Sequence, residues 1–310
     1  MAVGLLMAAQ ATAQTAFATL IHEGTLSSFT GVDALKDAAA AAADGDVITL
    51  SSGTFNGCDI TKAITLRGAG MEADELGRQT IIQSNIILDA KNKEVSVEGL
   101  FMKSIEGWVA SLFLNKCTIT ERCFQIHSQS TAVAEQTVIM QCKIKNLYDS
   151  HGIITIYNSY INHSEASERD IFYNCTIESI SGNYTRMLGK YYNCIYMGTT
   201  LLYPGSTASY CVACIALDTE GSSNNYQVED VKTIFNNYDE NATWYTRDLT
   251  LTDEAKATYL GNDGTEVGIY GGSLPFSPWL DRPFIKRLNV APKSTRAGKL
   301  SVDIEVGENE

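Results

Sequence analysis

A short phrase recurs through the middle of this 310-residue chain. In each copy a small residue, usually cysteine, follows a polar residue and stands two positions before an isoleucine or tyrosine. Residues two apart share a face of a β-strand, and the period is shorter than that of most helical repeats. The sequence therefore predicts a β-solenoid with such a strand in every coil, stacked in register. The copies are centred on Cys117, Cys142, Ser159, Cys175 and Cys194, 16 to 25 residues apart, and Leu100-Phe-Met102 and Cys214-Ile-Ala216 fit the frame more loosely.

The cysteines support this interpretation. Four of the eight occupy the same slot of the repeat, which the strand pattern turns inward. Stacked side chains with parallel directions suit disulfide geometry poorly, so we expect free thiols that pack as small hydrophobic groups. Cys211-Val-Ala-Cys214 is a lone CxxC without the second ligand pair that a zinc site needs. The sequence predicts core packing for it and no metal site.

The first residues indicate export. An apolar run, Ala2–Ala9, precedes Ala11-Thr-Ala13, which has the small-x-small form of a signal-peptidase site. We expect residues 1–14 to be a signal peptide; no basic residue precedes the run, so either its start is truncated or the segment is an ordinary buried strand. The run is too short to span a membrane. The expectation is a secreted, periplasmic or outer-surface protein.

The remaining chain divides by pattern. An alanine-rich run from Ala34 to Ala43 predicts a helix, with Thr30 and Asp33 as a variant of the capping box. After Gly272 a proline-rich stretch breaks the coil pattern, and Phe284–Val290 and Leu300–Val306 alternate like strands that pair as a hairpin or pack on the solenoid. We therefore expect a leading strand and capping helix at 15–45, a parallel β-helix at 46–272 and a C-terminal β extension at 273–310.

The segments of the chain follow one another in a characteristic order. They are the helix, Val47–Leu50, Ser52–Phe55, Ile64–Gly70, the Asn-Cys-x-Ile coils, and Asn262–Gly272 followed by Pro275-Phe276. This order resembles the right-handed parallel β-helix proteins of the pectate-lyase-like superfamily, and the last phrase is similar to the closing coil of secreted β-helix proteins from Bacteroidetes. The resemblance covers roughly residues 25 to 275 and is specific for fold. It implies an all-β solenoid that engages polysaccharide, as a lyase, glycosidase, esterase or noncatalytic binding protein.

A catalytic set is less plain. Similar lyases hold an acidic sugar through Ca²⁺ on clustered carboxylates and use an arginine or lysine base, and similar glycosidases use paired aspartates. This sequence has no Asp-Asp pair and no acidic ladder at a fixed coil position. A histidine, an arginine and carboxylates on adjacent coils could remove a proton and neutralise an acid, or be solvated turn residues. These candidates are Asp149, His151, Arg169, Asp170 and Arg186.

Aromatic residues form a second candidate site. Tyr157, Tyr173 and Tyr192 occupy one slot in three coils, where they could stack on sugar rings. A spacing of two from the inward slot instead favours an internal aromatic stack, unless a turn intervenes. Trp244 is another possible sugar platform, with burial against the last coil as the alternative. The polar residues beside these slots, Gln141, Asn158, Asn174 and Asn193, predict a ladder at a bend with left-handed backbone.

Charge limits the partner. The net charge is −13 and the pI is about 4.8, which argues against nucleic acid, because its binding depends on basic contacts. An acidic surface also repels polyanionic glycans unless Ca²⁺ or a basic patch intervenes, so neutral glycans are favoured. The Asn262–Glu266 turn is a possible Ca²⁺ site but lacks the ligand spacing of a full loop, and a simple turn is the alternative.

The sequence thus predicts a β-helix that engages polysaccharide, as a noncatalytic glycan-binding or structural protein. The alternative is a polysaccharide lyase, or less readily a glycoside hydrolase, that acts on an extended glycan in a groove along the coils.

Overall fold

The computed structural model describes residues 16–74, 77–125, 136–148, 152–180, 188–280, 284–290 and 302–307. It confirms the predicted fold class, since the chain forms a parallel β-solenoid of about nine turns with few helices. The expected signal peptide, residues 1–14, lies outside the described residues. No helix in these ranges is long and apolar enough to cross a membrane.

The elements follow in chain order. The first half contains β1 (Phe17–His22), β2 (Thr25–Thr30), α1 (Ala34–Ala41), β3 (Val47–Leu50), β4 (Gly53–Phe55), β5 (Asp59–Ile60), β6 (Thr65–Arg67), β7 (Thr80–Ile82), β8 (Ile86–Glu98), β9 (Phe101–Asn115) and β10 (Thr118–Gln125). Then come β11 (Gln136–Met140), β12 (Lys143–Tyr148), β13 (Ile153–Tyr157), β14 (Tyr160–Glu165), β15 (Ile171–Tyr173), β16 (Thr176–Ile180), β17 (Lys190–Tyr192), β18 (Ile195–Tyr196), β19 (Thr207–Ser209), β20 (Val212–Ala213) and β21 (Tyr226–Gln227). The chain continues with two short 3₁₀ helices (Val231–Ile234 and Trp244–Thr246), α2 (Asp253–Thr258), β22 (Phe284–Val290) and β23 (Val302–Gly307).

The strands of successive coils pair in parallel and form three faces. The open face contains β3, β6, the ends of β8 and β9, and β11, β13, β15, β17 and β19. The covered face contains β4, β7, the starts of β9, β10, β12, β14 and β16, and β18, β20 and β21. The third face contains β5, the start of β8, the middle of β9, and the ends of β10, β12, β14 and β16.

A column of small residues lines the interior where the open face turns into the covered face. Its cysteines are almost fully buried, and all eight cysteines of the chain are free thiols, as predicted. The backbone N–H of Cys175 donates to the Cys194 sulfur at 3.5 Å, and that of Cys194 donates to the Cys211 sulfur at 3.4 Å. Burial raises the pKa of the Cys194 and Cys211 thiols well above its ordinary value. These thiols are therefore neutral packing groups.

One repeat assignment was wrong. The last copy of the phrase contains Cys211, because Val212 pairs with Ile195 and Ala213 pairs with Tyr196. Cys211 is buried in the column, whereas Cys214 is only half-buried at the second apolar cluster. The expected frame at Cys214-Ile-Ala216 is shifted by three residues from the true one, since both positions of the CxxC carry cysteine.

The predicted left-handed ladder is confirmed and is longer than expected. The residue immediately before each slot of the column has a positive φ between +43° and +56° in seven successive coils. We call this row the corner ladder. It comprises Lys116, Gln141, Asn158, Asn174, Asn193, Tyr210 and Asn224.

A strap, residues 259–280, runs along the corner ladder toward the N-terminal coils. The Asn193 amide bonds with Asn262, and the Asn158 amide donates to the carbonyls of Ile269 and Gly271 at 3.0 and 2.7 Å. The Gln141 amide donates to the Pro275 carbonyl at 2.6 Å, and Lys116 donates to that of Trp279. The structure thus differs from the expectation that Asn262–Gly272 closes the helix as a coil. The last strand of the solenoid ends at Gln227, and the later chain lies on its side.

The N-terminal part closes the first coil. Strand β1 pairs antiparallel with β3 and with β2, and α1 buries Ala34, Leu35 and Ala38 in the main core. The helix is confirmed, but the capping box was wrong. Asp33 is itself the N-cap residue without a side-chain cap bond, and its carboxylate accepts a hydrogen bond from Asn56. At the other end of the chain β22 and β23 pair as an antiparallel hairpin, the first of the two arrangements that the sequence left open.

We expect the buried cysteine column to tolerate a substitution by serine and to be destabilised by a substitution by valine. Ser159 already accepts from the Cys142 N–H at 3.0 Å and donates to the Tyr157 carbonyl at 2.7 Å, so Cys194→Ser preserves both kinds of bond. Cys194→Val removes the acceptor and overfills the slot, which should lower the free energy of unfolding by about 1–3 kcal/mol. Urea denaturation measures both, with Cys214→Ser as the control outside the column. Equal losses for serine and valine would contradict this account.

The corner ladder gives a second prediction. Asn158→Gly keeps the left-handed backbone but removes the amide donor, so the Gly271 carbonyl loses its partner and the Ile269 carbonyl keeps only its bond from the Phe276 N–H. This loss should cost about 1–3 kcal/mol. Asn158→Ala should cost a further 1–2 kcal/mol or so, because a Cβ is disfavoured at φ +43°. Asn92 is a matched control, since it is exposed and has φ +61°. Denaturation midpoints that rank Gly and Ala equally at position 158 would rule out the backbone contribution.

Candidate functional site

The three predicted tyrosines lie on the outside of the open face. Each is half-buried, whereas the residues immediately before Tyr173 and Tyr192, Phe172 and Tyr191, are buried in the core. The internal-stack interpretation of the tyrosines was therefore wrong. The corner-ladder residue between each tyrosine and the buried slot has a left-handed backbone, and this turn reverses the alternation that would otherwise place both residues inside.

The tyrosine rings stack on one another along the solenoid axis. The ring centroids of Tyr157 and Tyr173 are 5.2 Å apart with an interplanar angle of 8°. Those of Tyr173 and Tyr192 are 5.1 Å apart at 15°. The inward Phe172 and Tyr191 rings stack in the same way, at 4.7 Å. Burial, with the neighbouring phenols, raises the pKa of Tyr173, so the central ring of the column presents a neutral hydroxyl group.

The tyrosines belong to a continuous outward column. Its register runs from Arg67 and Glu98 at the N-terminal end to Ser209 and Ser223 at the C-terminal end. The hydroxyls of these two serines are 3.3 Å apart. The adjacent outward column contains Phe113, Val138, Thr155, Ile171, Lys190 and Thr207. The open face thus combines an aromatic and aliphatic stripe with hydroxyl groups at one end.

The catalytic candidates are only partly described. Asp149, His151 and Arg186 lie outside the described residues. Asp170 is fully buried, and its carboxylate accepts hydrogen bonds from the backbone N–H groups of Ile154 (3.0 Å) and Ser167 (2.8 Å). Arg169 beside it is exposed. The Asp170 carboxylate therefore holds the turn that leads into the open face.

Trp244 lies on the covered face and not on the last coil. Its ring is half-buried against Tyr160 of β14, with centroids 5.9 Å apart, and contacts Tyr245 edge to face. The expected burial against the last coil was wrong, because this part of the chain turns back over the middle coils. Trp244 helps to cover the sheet.

A polar cluster that the sequence did not reveal fastens this covering segment. Arg247 pairs with Glu178 of β16 at 2.5 Å, and the Tyr160 hydroxyl and Asn162 amide also donate to Glu178. Burial and the bond to Glu178 raise the pKa of Tyr160. Lys143 pairs with Glu72 and donates to the Tyr245 carbonyl at 2.7 Å. The partners that join the covering segment or Glu72 to the coils, Arg247–Glu178, Lys143–Glu72 and Lys143–Tyr245, are 69 to 102 residues apart, so no local pattern could have indicated them.

A surface pocket of about 390 Å³ lies between the turn before β19 and the segment that joins β20 to β21. Leu201, Leu202 and Pro204 form apolar walls, and Asp218, Thr219 and Glu220 add polar groups. Asp218 and Glu220 are exposed to solvent. The pocket lies at the edge of the open face and belongs to its C-terminal coils.

Metal ligands are not grouped in the described ranges, where no three histidine, cysteine, aspartate or glutamate side chains are placed to hold an ion. In the Asn262–Glu266 turn, the Asp263 carboxylate accepts hydrogen bonds from the N–H and hydroxyl of Thr265. This is the geometry of a simple polar turn.

Comparison of this chain with protein-family models, with curated proteins and with solved structures finds no match. The class that can be stated is therefore a parallel β-solenoid with a covered face and an open face. Its function has to be argued from the exposed surfaces, because a fold does not determine a function.

The burial of Asp170 gives a prediction. Asp170→Asn replaces one acceptor oxygen by an NH₂ group opposite a backbone donor, which should cost about 1–3 kcal/mol of unfolding free energy. Asp218→Asn, at an exposed site, should leave stability unchanged within about 0.5 kcal/mol. Thermal unfolding compares the two variants. A neutral result at Asp170 would show that its buried bonds contribute little to the fold.

Proposed function

We propose that this chain is a noncatalytic carbohydrate-binding protein that engages polysaccharide on its open face. The observation that carries the proposal is the outward column of Tyr157, Tyr173 and Tyr192, stacked in register and half-exposed. Aromatic side chains supply a flat apolar surface with a polar tip, which suits the mixed surface of a sugar ring. The serine and threonine hydroxyls at the C-terminal end of the face supply both donors and acceptors.

The covered face supports this choice, because it is already occupied. Residues 228–280 lie on it and bury Tyr160, Ile195 and Val212 in a second apolar cluster. Its charged groups, Arg247 and Glu178, bind one another. On the open face, by contrast, a row of aromatic and aliphatic side chains remains half-exposed. An exposed apolar stripe of this kind is typical of a binding surface.

The charge of the chain favours a neutral glycan. At a net charge of −13, a polyanionic chain would be repelled on approach. The proposed setting is the outside of a bacterial cell or the periplasm, in line with the apolar N-terminal run. The resemblance to pectate-lyase-like β-helix proteins agrees with a polysaccharide ligand, and within that group we propose a binding role.

The buried Asp170 supports the noncatalytic part of the proposal. A general acid or base has to reach the substrate, and the Asp170 carboxylate is enclosed and already accepts two backbone N–H bonds. Arg169, the other candidate within the described ranges, is exposed on the turn beside it. In this proposal Asp170 is a structural group, and a lyase or hydrolase would have to act without its carboxylate.

Retention on immobilised glycans tests the proposal. The purified chain should be retained by at least one neutral polysaccharide, and the double variant Tyr173→Ala/Tyr192→Ala should bind roughly tenfold more weakly or worse, since each aromatic contact is worth about 0.5–1.5 kcal/mol. Phe17→Ala is the matched control, because Phe17 is 38% exposed on the N-terminal hairpin.

Enzyme activity is followed in the same samples, with and without Ca²⁺. New unsaturated uronate or new reducing ends would overturn the noncatalytic proposal in favour of a lyase or a hydrolase. Retention that survives the double variant would place binding elsewhere than on the tyrosine column. A chain that no polysaccharide retains would refute the proposal.

A further inference from the structure

The two ends of the tyrosine column differ. In an axial stack each internal ring uses both of its faces against neighbours, so Tyr173 has no free face. At the N-terminal end the next register position is Met140, a long apolar side chain. At the C-terminal end the next positions are Ser209 and Ser223, which carry only a hydroxymethyl group.

The serines leave a space in which another ring would fit. The tyrosine centroids repeat at 5.1 to 5.2 Å, close to the spacing of about 4.8 Å between neighbouring strands. A ring on the coil of Ser209 would therefore stack on the outer face of Tyr192 as the next member of the column. Two serines in succession free roughly 10 Å along the axis, which is enough for one ring and the start of its linkage.

We propose that the surface above Ser209 and Ser223 is a subsite for one pyranose ring of a neutral glycan, which stacks on the free face of Tyr192. We call it the serine subsite. The inference rests on the proposed carbohydrate-binding function and locates the bound sugar ring at the C-terminal end of the tyrosine column. It also implies that the glycan is bound by a ring at the end of the column and not by stacking along its whole length.

The polar groups around the serine subsite suit sugar hydroxyls. The Ser209 and Ser223 hydroxyls share one hydrogen bond at 3.3 Å, and each hydroxyl can make up to three. Thr207, two residues before Ser209, adds a third hydroxyl group on the same face. Groups that both donate and accept match a neutral sugar. Lys190 is the nearest cation in the adjacent column and is exposed.

Filling the serine subsite tests the inference. Ser209→Tyr adds a fourth ring to the column and should weaken binding of the retained neutral glycan by about tenfold or more, without lowering the thermal midpoint. Met140→Tyr is the matched control, because it adds the same ring to the same column at the opposite end and should leave binding unchanged. Ser223→Tyr is a second blocking variant, to be used if Ser209→Tyr fails to fold.

The probes are hexasaccharides of cellulose, xylan, mannan and polygalacturonate, with affinity measured by calorimetry and folding checked by circular dichroism. Loss of affinity in Ser209→Tyr alone is the expected result. If Ser209→Tyr binds like the parent while Tyr173→Ala/Tyr192→Ala does not, the serine subsite is refuted and the carbohydrate-binding function stands. Equal losses in Ser209→Tyr and Met140→Tyr would mean that the whole column binds. Binding of polygalacturonate alone would overturn the neutral class, and a parent chain that binds no probe would refute both proposals.

Discussion

The left-handed residue that recurs at one corner of the solenoid is the constraint on which the rest of the structure depends. Seven successive coils have a positive φ at this position, and each such residue reverses the in-and-out alternation between the strands that it joins. The reversal places Cys175 inside and Tyr173 outside although they are two residues apart. It also aligns the side chains of Asn158 and Asn193 along one edge. A single backbone conformation therefore determines the core column, the outward aromatic column and the corner ladder together.

The corner ladder explains why the two faces that meet there differ. Its side-chain amides donate hydrogen bonds to backbone carbonyls of the strap. Asn158 binds the carbonyls of Ile269 and Gly271, and Gln141 binds that of Pro275. Backbone recognition tolerates variation in strap side chains, whereas the ion pairs of Arg247 and Lys143 fix the covering segment at particular coils. The outer side of the covered face thereby becomes a second core. The open face, on the other side of the same corner, keeps its outward side chains half-exposed.

The local sequence pattern predicted the individual elements and the repeat, and it missed contacts between distant parts of the chain. The cysteine slot, the asparagine ladder, the first helix and the C-terminal hairpin all follow from spacing or composition, and all are confirmed. The predicted side of Tyr157, Tyr173 and Tyr192 was wrong because side chains alternate between inward and outward only along an unbroken strand. The frame at Cys214 was wrong because a CxxC offers two equivalent cysteines. The Arg247–Glu178 pair joins residues 69 positions apart, and such contacts leave no periodic trace in the sequence.

Self-stacking limits what an aromatic column can bind. Each ring that packs on its neighbour gains contact energy for the fold and gives up a face that a ligand could use, so Tyr173 serves the column while Tyr192 keeps one face. In the carbohydrate-binding role that we propose, the capacity of the column for a ligand then depends on how the column ends. Met140 continues it with an apolar side chain, whereas Ser209 and Ser223 interrupt it with hydroxyls. A stack that ends in small polar residues beside a free aromatic face combines apolar contact and hydrogen bonding within one coil, which is the combination that a neutral sugar ring requires.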